Sequence, residues 1–185
     1  MKKMVFLASA FLLTLSLFSQ NEYEQESDFP SSPKNEVKIN LPLIIFGSYP
    51  EISYERILNS DISVGASFGA GLDKDRYPMQ LALTPYFRWF FGGNRKSMSK
   101  IGAGLFIEAN GSLFSCDSEA TVPGSNPEDK NSSLGAGLGV AVGWKYVSKN
   151  NWVGEIFSGV GRNFVENKSL LEVYPRVGIS IGKRF

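Results

Sequence analysis

An all-β chain, closed as an antiparallel up-and-down transmembrane β-barrel of about eight strands, is what three observations in the sequence predict. First, apolar and polar residues alternate with a two-residue period through much of residues 36–185, which is the side-chain period of strands. Second, glycine keeps to the polar faces: Gly65, Gly69, Gly71, Gly102, Gly104, Gly135, Gly137, Gly139 and Gly143 lie there, against Gly154 alone on an apolar face. A water-exposed sheet face of glycine would be a weak strand surface, whereas inside a narrow barrel glycine makes room for large neighbours. Third, charge keeps to the same faces. Glu51, Glu55, Arg88, Glu108, Lys145, Glu155, Glu172 and Arg176 form a mixed-sign set suited to pairing across a lumen. Arg56 and Lys183 fall on apolar faces, but near strand ends, where a lipid-facing charge costs ~0–1 kcal/mol rather than ~2–4 at the midplane.

The elements follow in order. Met1-Lys2-Lys3 and the apolar stretch Met4 to Phe18 read as a secretory signal peptide over residues 1–20, with cleavage expected near Ser19 or Gln20. The apolar run is too short for a membrane helix. Residues 21–35 are acidic and polar, with Pro30 and Pro33, and are expected to be a flexible periplasmic tail. Residues 36–185 form the barrel domain, with strands at about 37–46, 51–58, 62–72, 79–91, 101–114, 134–147, 152–161 and 171–185. Connections at Asn59-Ser60 and Ser148 to Asn151 are tight, while 73–78, 115–133 and 162–170 are longer and polar. Gly47 to Pro50 is short and Gly92 to Lys100 long, against that trend. Both termini on the periplasmic side put the longer loops outside the cell.

The last strand alternates most strictly. Val173, Pro175, Val177, Ile179, Ile181 and Phe185 fall on one side, and Glu172, Tyr174, Arg176, Gly178, Ser180 and Gly182 on the other. Val177, Ile179, Ile181 and Phe185 are the residues of an expected C-terminal assembly signal. Alternation alone fits a soluble, lipocalin-like barrel as well, in which the apolar face lines a cavity. The aromatics separate the two. Along the up-and-down path, Trp89, Phe91, Trp144, Tyr146, Trp152 and Phe185 all land outward at the periplasmic rim, as an interfacial aromatic girdle requires. A soluble core has no reason to gather them at one height.

Several short pieces in order carry a resemblance: the exported start, the acidic tail, Lys38-Ile39-Asn40-Leu41-Pro42, Ser53-Tyr54-Glu55-Arg56 and the Phe-terminated last strand. Together they resemble the small outer-membrane barrels of Gram-negative bacteria, closest to a domain-of-unknown-function barrel family and generally similar to OmpX- and OmpW-like proteins. The resemblance covers residues 36–185 and departs at Lys183, where such strands often carry an apolar residue. It implies a cell outer-membrane location, outer-membrane lipid around the wall and the barrel assembly machinery as partner. It implies no established activity.

The chemistry is defined as much by what is missing. The sequence has no histidine, which removes Ser-His and Cys-His dyads, the usual imidazole base and most transition-metal sites. A single cysteine, Cys116, permits no internal disulfide and is expected in a polar loop as a tolerated thiol. Glu55, Glu108, Glu155 and Glu172 could supply a carboxylate pair for acid–base work. The competing structural reading is that they neutralise Arg88, Lys145 and Arg176, because a buried ion must be paired. The runs Gly65 to Gly71 and Gly135 to Gly139 fit neither dinucleotide nor P-loop spacing and open no helical pattern. Asp117, Glu119, Glu128 and Asp129 in loop 115–133 suit a cation- or partner-binding extracellular loop, or simply a solvated one. Removing residues 1–20, with Lys2 and Lys3 and no acids, takes the net charge from +1 to −1, which gives no case for nucleic acid.

These readings lead to a monomeric outer-membrane barrel with no catalytic activity, no cofactor and no metal. Its expected role is a structural or surface-loop interaction scaffold with a largely plugged polar lumen, since about eight strands leave only enough interior for side chains. The alternative is a narrow, porin-like channel or a binder or transporter of a small hydrophobic solute.

Overall fold

Segments rich in Val, Ile, Phe and Tyr with a two-residue period form strands, and each strand pairs with its neighbour in sequence, tightly turned at Asn59-Ser60 and at Ser148 to Asn151. The computed structural model describes residues 33–73, 79–91, 100–117, 132–165 and 172–185, all within the compact unit Pro33–Phe185. Eight strands form: β1 (Asn35–Asn40), β2 (Glu51–Ile57), β3 (Ile62–Ala70), β4 (Met79–Phe91), β5 (Gly104–Asp117), β6 (Ser132–Val147), β7 (Trp152–Asn163) and β8 (Val173–Arg184). Each pairs antiparallel with the next, and β8 returns to β1, so the sheet closes into an up-and-down barrel. The predicted all-β, antiparallel up-and-down barrel of eight strands is the observed one.

Two connections show the expected turn chemistry. Between β2 and β3, Asn59 Oδ1 accepts the N–H groups of Asp61 (2.9 Å) and Ile62 (2.8 Å), an Asx turn. Between β6 and β7, Asn151 takes a left-handed conformation (φ 63°), and the Ser148 N–H donates to the Trp152 carbonyl (2.8 Å).

The first segment departs from expectation. A strand over 37–46 is predicted, but β1 stops at Asn40 and Leu41–Gly47 forms a short helix, α1. Alternation ends there: Leu41 to Phe46 is a continuous apolar run, whose periodicity does not separate strand from buried helix. Pro42, which has no N–H to leave unpaired, sits in the first turn, where helices tolerate it. Ser48 closes the helix in the left-handed region, its N–H reaching back to the Leu43 carbonyl.

The fifth strand also moves. Gly102 (φ 59°) and Gly104 (φ 108°) hold the backbone out of the extended region, so β5 begins at Gly104, and pairing with Met79 and Ser132 carries it on to Asp117. Cys116 therefore lies in a strand and is buried, not in a polar loop. What remains of the predicted 115–133 loop, residues 118–131 with Glu119, Glu128 and Asp129, lies outside the described residues, as do the predicted signal segment over 1–20 and all but the end of the predicted tail.

Strand lengths are unequal. At ~3.3 Å per residue and ~40° of tilt, the 14 and 16 residues of β5 and β6 rise on the order of 35–40 Å, and the six of β1 only ~15 Å. The wall is therefore low on one side, and α1 lies beside β8 there.

Side-chain direction follows the parity of the sequence. Ile52, Phe68, Leu83, Phe87, Ile107, Val140, Val142, Ile156 and Ile179 are exposed on the outer wall, while Glu55, Arg88, Glu108, Lys145 and Glu155 are buried inside. A methyl group added at Gly143 would lie 2.5 Å from Phe106 Cζ and 2.6 Å from the Ile156 carbonyl oxygen, whereas one at Gly154 would meet nothing within 4 Å. Gly143→Ala should therefore lower stability by about 1–3 kcal/mol through overpacking. Gly154→Ala should leave stability unchanged or raise it by up to ~1 kcal/mol. Urea-unfolding midpoints of the two refolded variants test this, and equal losses would contradict the placement of the two glycines.

Candidate functional site

The most concentrated chemistry in the molecule fills the middle of the lumen. Five carboxylates (Glu36, Glu51, Glu55, Glu108 and Glu155) and five cations (Lys38, Arg88, Lys145, Arg176 and Arg184) lie there, fully buried except for slight exposure of Glu51 and Arg176. Every strand but β3 contributes at least one, and β3 contributes Ser63 and Ser67.

Register brings the pairs together. Arg88 faces Glu108 across β4 and β5, Lys145 faces Glu155 across β6 and β7, and Glu36 faces Arg184 across the β1–β8 seam. Further contacts span the lumen. The Glu55 carboxylate accepts from Lys38 Nζ, Arg88 Nη1 (2.8 Å), Lys145 Nζ (2.5 Å) and Ser63 Oγ (2.6 Å). Glu155 accepts from Arg88 Nη1 (2.8 Å) and Lys38 Nζ (2.9 Å). Glu108 holds two guanidinium groups, Arg88 Nε at 2.9 Å and Arg176 Nε at 3.1 Å. Glu36 takes Arg184 Nε (2.8 Å) and Lys145 Nζ (2.9 Å). Toward the far end Glu51 accepts from Arg176 Nη1 (3.3 Å) and Asn40 Nδ2 (3.0 Å).

Aromatic rings surround the ions. The Arg88 guanidinium carbon lies 4.3 Å from the Phe106 ring centroid and 4.5 Å from that of Tyr86, and Lys145 Nζ lies 5.0 Å from the Phe90 ring. Such faces favour a desolvated cation. Beyond the ions, toward α1, Tyr49, Met79, Phe114, Cys116 and Tyr174 form an apolar layer, with Leu43 of α1 packed against it. Toward the tight turns, Ala103, Val147 and Val153 form another.

Of the eight residues predicted for the lumen network, Glu51, Glu55, Arg88, Glu108, Lys145, Glu155 and Arg176 are brought together. Glu172 is not. It precedes β8, is exposed (side chain 74%), and pairs with the equally exposed Arg162 at 2.9 Å. Alternation carries no information past the end of the pairing, where the side chain is free to turn to solvent. Glu36, Lys38 and Arg184 complete the cluster and were not singled out from the sequence. Parity could have found them: Arg184 shares the even-numbered face of Arg176, and Glu36 and Lys38 that of Asn40.

The five residues predicted for an aromatic girdle, Trp89, Phe91, Trp144, Tyr146 and Trp152, are all exposed on the outer wall, as is Phe185. They lie at strand ends that register places at one end of the barrel, through Phe91↔Leu105↔Trp144 and Trp152↔Lys183. Trp89 and Phe91 approach to 5.1 Å between ring centroids, Trp144 stacks on Tyr146 at 6.1 Å, and Lys183 Nζ sits 5.1 Å from the Trp152 ring. Val177, Ile179 and Ile181 point outward with them.

Each of the five carboxylates has a cation within 3.3 Å, so the cluster is arranged to neutralise itself rather than to present a free base. Among the described residues no group of acidic, Cys or His side chains is arranged to hold a metal ion. Compared with known protein families, with curated proteins and with solved structures, the chain matches none.

Removing one partner of a buried pair strands the other charge, a loss of roughly 3–5 kcal/mol. Arg88→Ala takes one cation from Glu55, Glu108 and Glu155, which keep only Lys38, Lys145 and Arg176 between them, and leaves five buried carboxylates against four cations; it should fall in that range. Glu172→Ala removes only an exposed pair and should cost ~0–1 kcal/mol. Denaturant midpoints of the two variants check the contrast, and an unchanged midpoint for Arg88→Ala would falsify the pairing.

Proposed function

We propose that the chain is an integral outer-membrane β-barrel protein without catalytic activity, a structural or surface-loop interaction scaffold whose polar lumen is largely plugged. The observation that carries the reading is the inverted distribution of polarity. Aliphatic and aromatic side chains cover the outer wall, while the ions point to the axis. In water such a surface would be an aggregation liability, far beyond the few hundred Å² of contiguous apolar patch that soluble monomers expose. In a bilayer it is the expected surface, because a closed barrel satisfies its backbone hydrogen bonds internally and turns its apolar side to lipid.

The aromatics at one end support the same arrangement, since Trp and Tyr rings favour the level of the lipid headgroups. So do the lengths of β4 to β8, each sufficient for an apolar band about 25 Å tall. The resemblance to small Gram-negative outer-membrane barrels points the same way.

The packed ions favour a plug over a channel. A conducting pore needs an unbroken column of water, and here paired ionic side chains and the buried cluster of Phe90, Phe106 and Phe157 fill the interior. Such a scaffold would meet an extracellular partner through the loop predicted over 115–133.

Expression in a Gram-negative host tests location and form together. The chain should fractionate with the outer membrane and migrate faster on gels before heating than after. Purified protein in planar bilayers should give no steady, reproducible conductance. Recovery as a water-soluble periplasmic monomer would refute the membrane reading, and reproducible pores would refute the plug.

A further inference from the structure

Two residues that break the hydrocarbon of the outer wall, Gly154 and Lys183, lie side by side in the structure. Gly154 of β7 is paired with Tyr146 of β6 on one side and with Ile181 of β8 on the other. One row nearer the tight turns, Trp152 is paired with Lys183. A methyl group at Gly154 would meet nothing within 4 Å, so the wall is notched there. Glycine weakens a strand interior, and one beneath open space lets another molecule approach the backbone closely.

The notch is part of the floor of a groove of about 480 Å³. Trp144 and Tyr146 form its β6 side, Ile179 and Ile181 its β8 side, and Ile156 continues the floor along β7. Leu41, the residue after the Asn40↔Ser180 pair, extends the β8 side. Lys183 stands just past the opposite end, on the same outward face of β8 and two residues, or ~7 Å, beyond Ile181. Its Nζ lies 5.1 Å from the Trp152 ring, and among the described residues it pairs with no carboxylate. The groove is thus hydrocarbon along its length and cationic at its aromatic end.

We propose that this groove seats one acyl chain of an acidic phospholipid, with the lipid phosphate held at Lys183. Such a site rests on the membrane reading, in which the aromatic end of the wall stands at the level of the lipid headgroups. Shape and charge select different parts of the occupant. Every lipid tail is as apolar as its neighbours, so the groove orders a chain but gives no preference among lipids. The unpaired cation gives one, because it attracts a headgroup of net negative charge over a zwitterion that carries its own ammonium. A second copy of the chain fits less well. A two-fold axis through the groove would bring one Lys183 against the other, like charge against like. Arg56, the other cation on the outer wall, stands across β1, where Val37 pairs with Lys183 and Asn35 with Arg56. It is the control for charge without the groove.

Quenching of tryptophan fluorescence by phospholipids brominated on their acyl chains tests the site, with the full chain refolded into phosphatidylcholine vesicles. Trp144 lines the groove and Trp152 stands at its mouth, while Trp89→Phe removes the third tryptophan. Brominated phosphatidylglycerol should associate about fivefold more strongly than brominated phosphatidylcholine, the effect of one basic residue at a membrane surface. Lys183→Gln, and Gly154→Leu, which fills the notch, should each abolish that preference, and Arg56→Gln should keep it. The contrast between the two lipids on the unaltered chain carries the test should a variant fail to fold. Equal association of the two lipids, a preference that survives Lys183→Gln or Gly154→Leu, or one lost equally with Arg56→Gln would each overturn the site. Brominated phosphatidylcholine alone reports whether the wall meets lipid. If it quenches while the preference is missing, the membrane reading stands and only the site falls; if neither lipid quenches, both fall.

Discussion

Neutralisation of the charges turned toward the axis is the constraint on which the rest of the barrel depends. Moving an ion out of water costs several kcal/mol even after the protein relaxes, and attraction offsets this only where geometry and hydrogen bonding are good. Lys38, Arg88 and Lys145 each lie between two or more carboxylates, and Glu55 lies among three cations. No single strand pair could supply that arrangement. It exists only when the sheet is closed, because Glu36 and Lys38 of β1 meet Lys145, Glu155 and Arg184 of β6, β7 and β8. The cluster need not add net stability over a hydrophobic filling. What it does is penalise any register or closure that separates its members.

The glycines follow from the same constraint. Arginine, lysine and aromatic side chains crossing a narrow lumen need facing positions without side chains. Gly143 beside Phe106 and Gly65 beside Tyr86 provide them. Polar filling of the interior leaves the apolar half of each strand nowhere to go but outward. The outer belt is thus the other side of the alternation that fills the lumen with ions. The exception is the low wall, where β1 ends early and α1 presents Ile45 (62% exposed) and Phe46 (78%) beside the unpaired edge of β8.

Much of this was legible because a strand's parity is a strong signal when one face is charged and the other aliphatic. Seven lumen ions and five outward aromatics, Trp89, Phe91, Trp144, Tyr146 and Trp152, fall on the face that counting alternate residues assigns them. Parity failed where it stopped applying. Leu41 to Phe46 has no alternation, so nothing in the pattern distinguished strand from helix, and only Pro42 hinted at a helical first turn. Glu172 lies just outside the ladder, and its side chain turns to Arg162. Cys116 was misplaced because β5 runs on to pair with Met79 of β4 and Ser133 of β6, partners that hydrophobicity along β5 does not report. The unpaired edge of β8 could not be read at all. It depends on the length of a neighbouring strand distant in sequence.

The central claim is that the outer wall faces lipid, and site-directed spin labelling tests it most directly. Single nitroxides would be placed at Leu83, Ile107, Val142 and Ile179, all outward on β4, β5, β6 and β8, in a Cys116→Ser background reconstituted into bilayers. The account predicts that each label collides readily with dissolved oxygen and scarcely with a water-soluble nickel chelate. Ready collision with the chelate at all of these positions would contradict it.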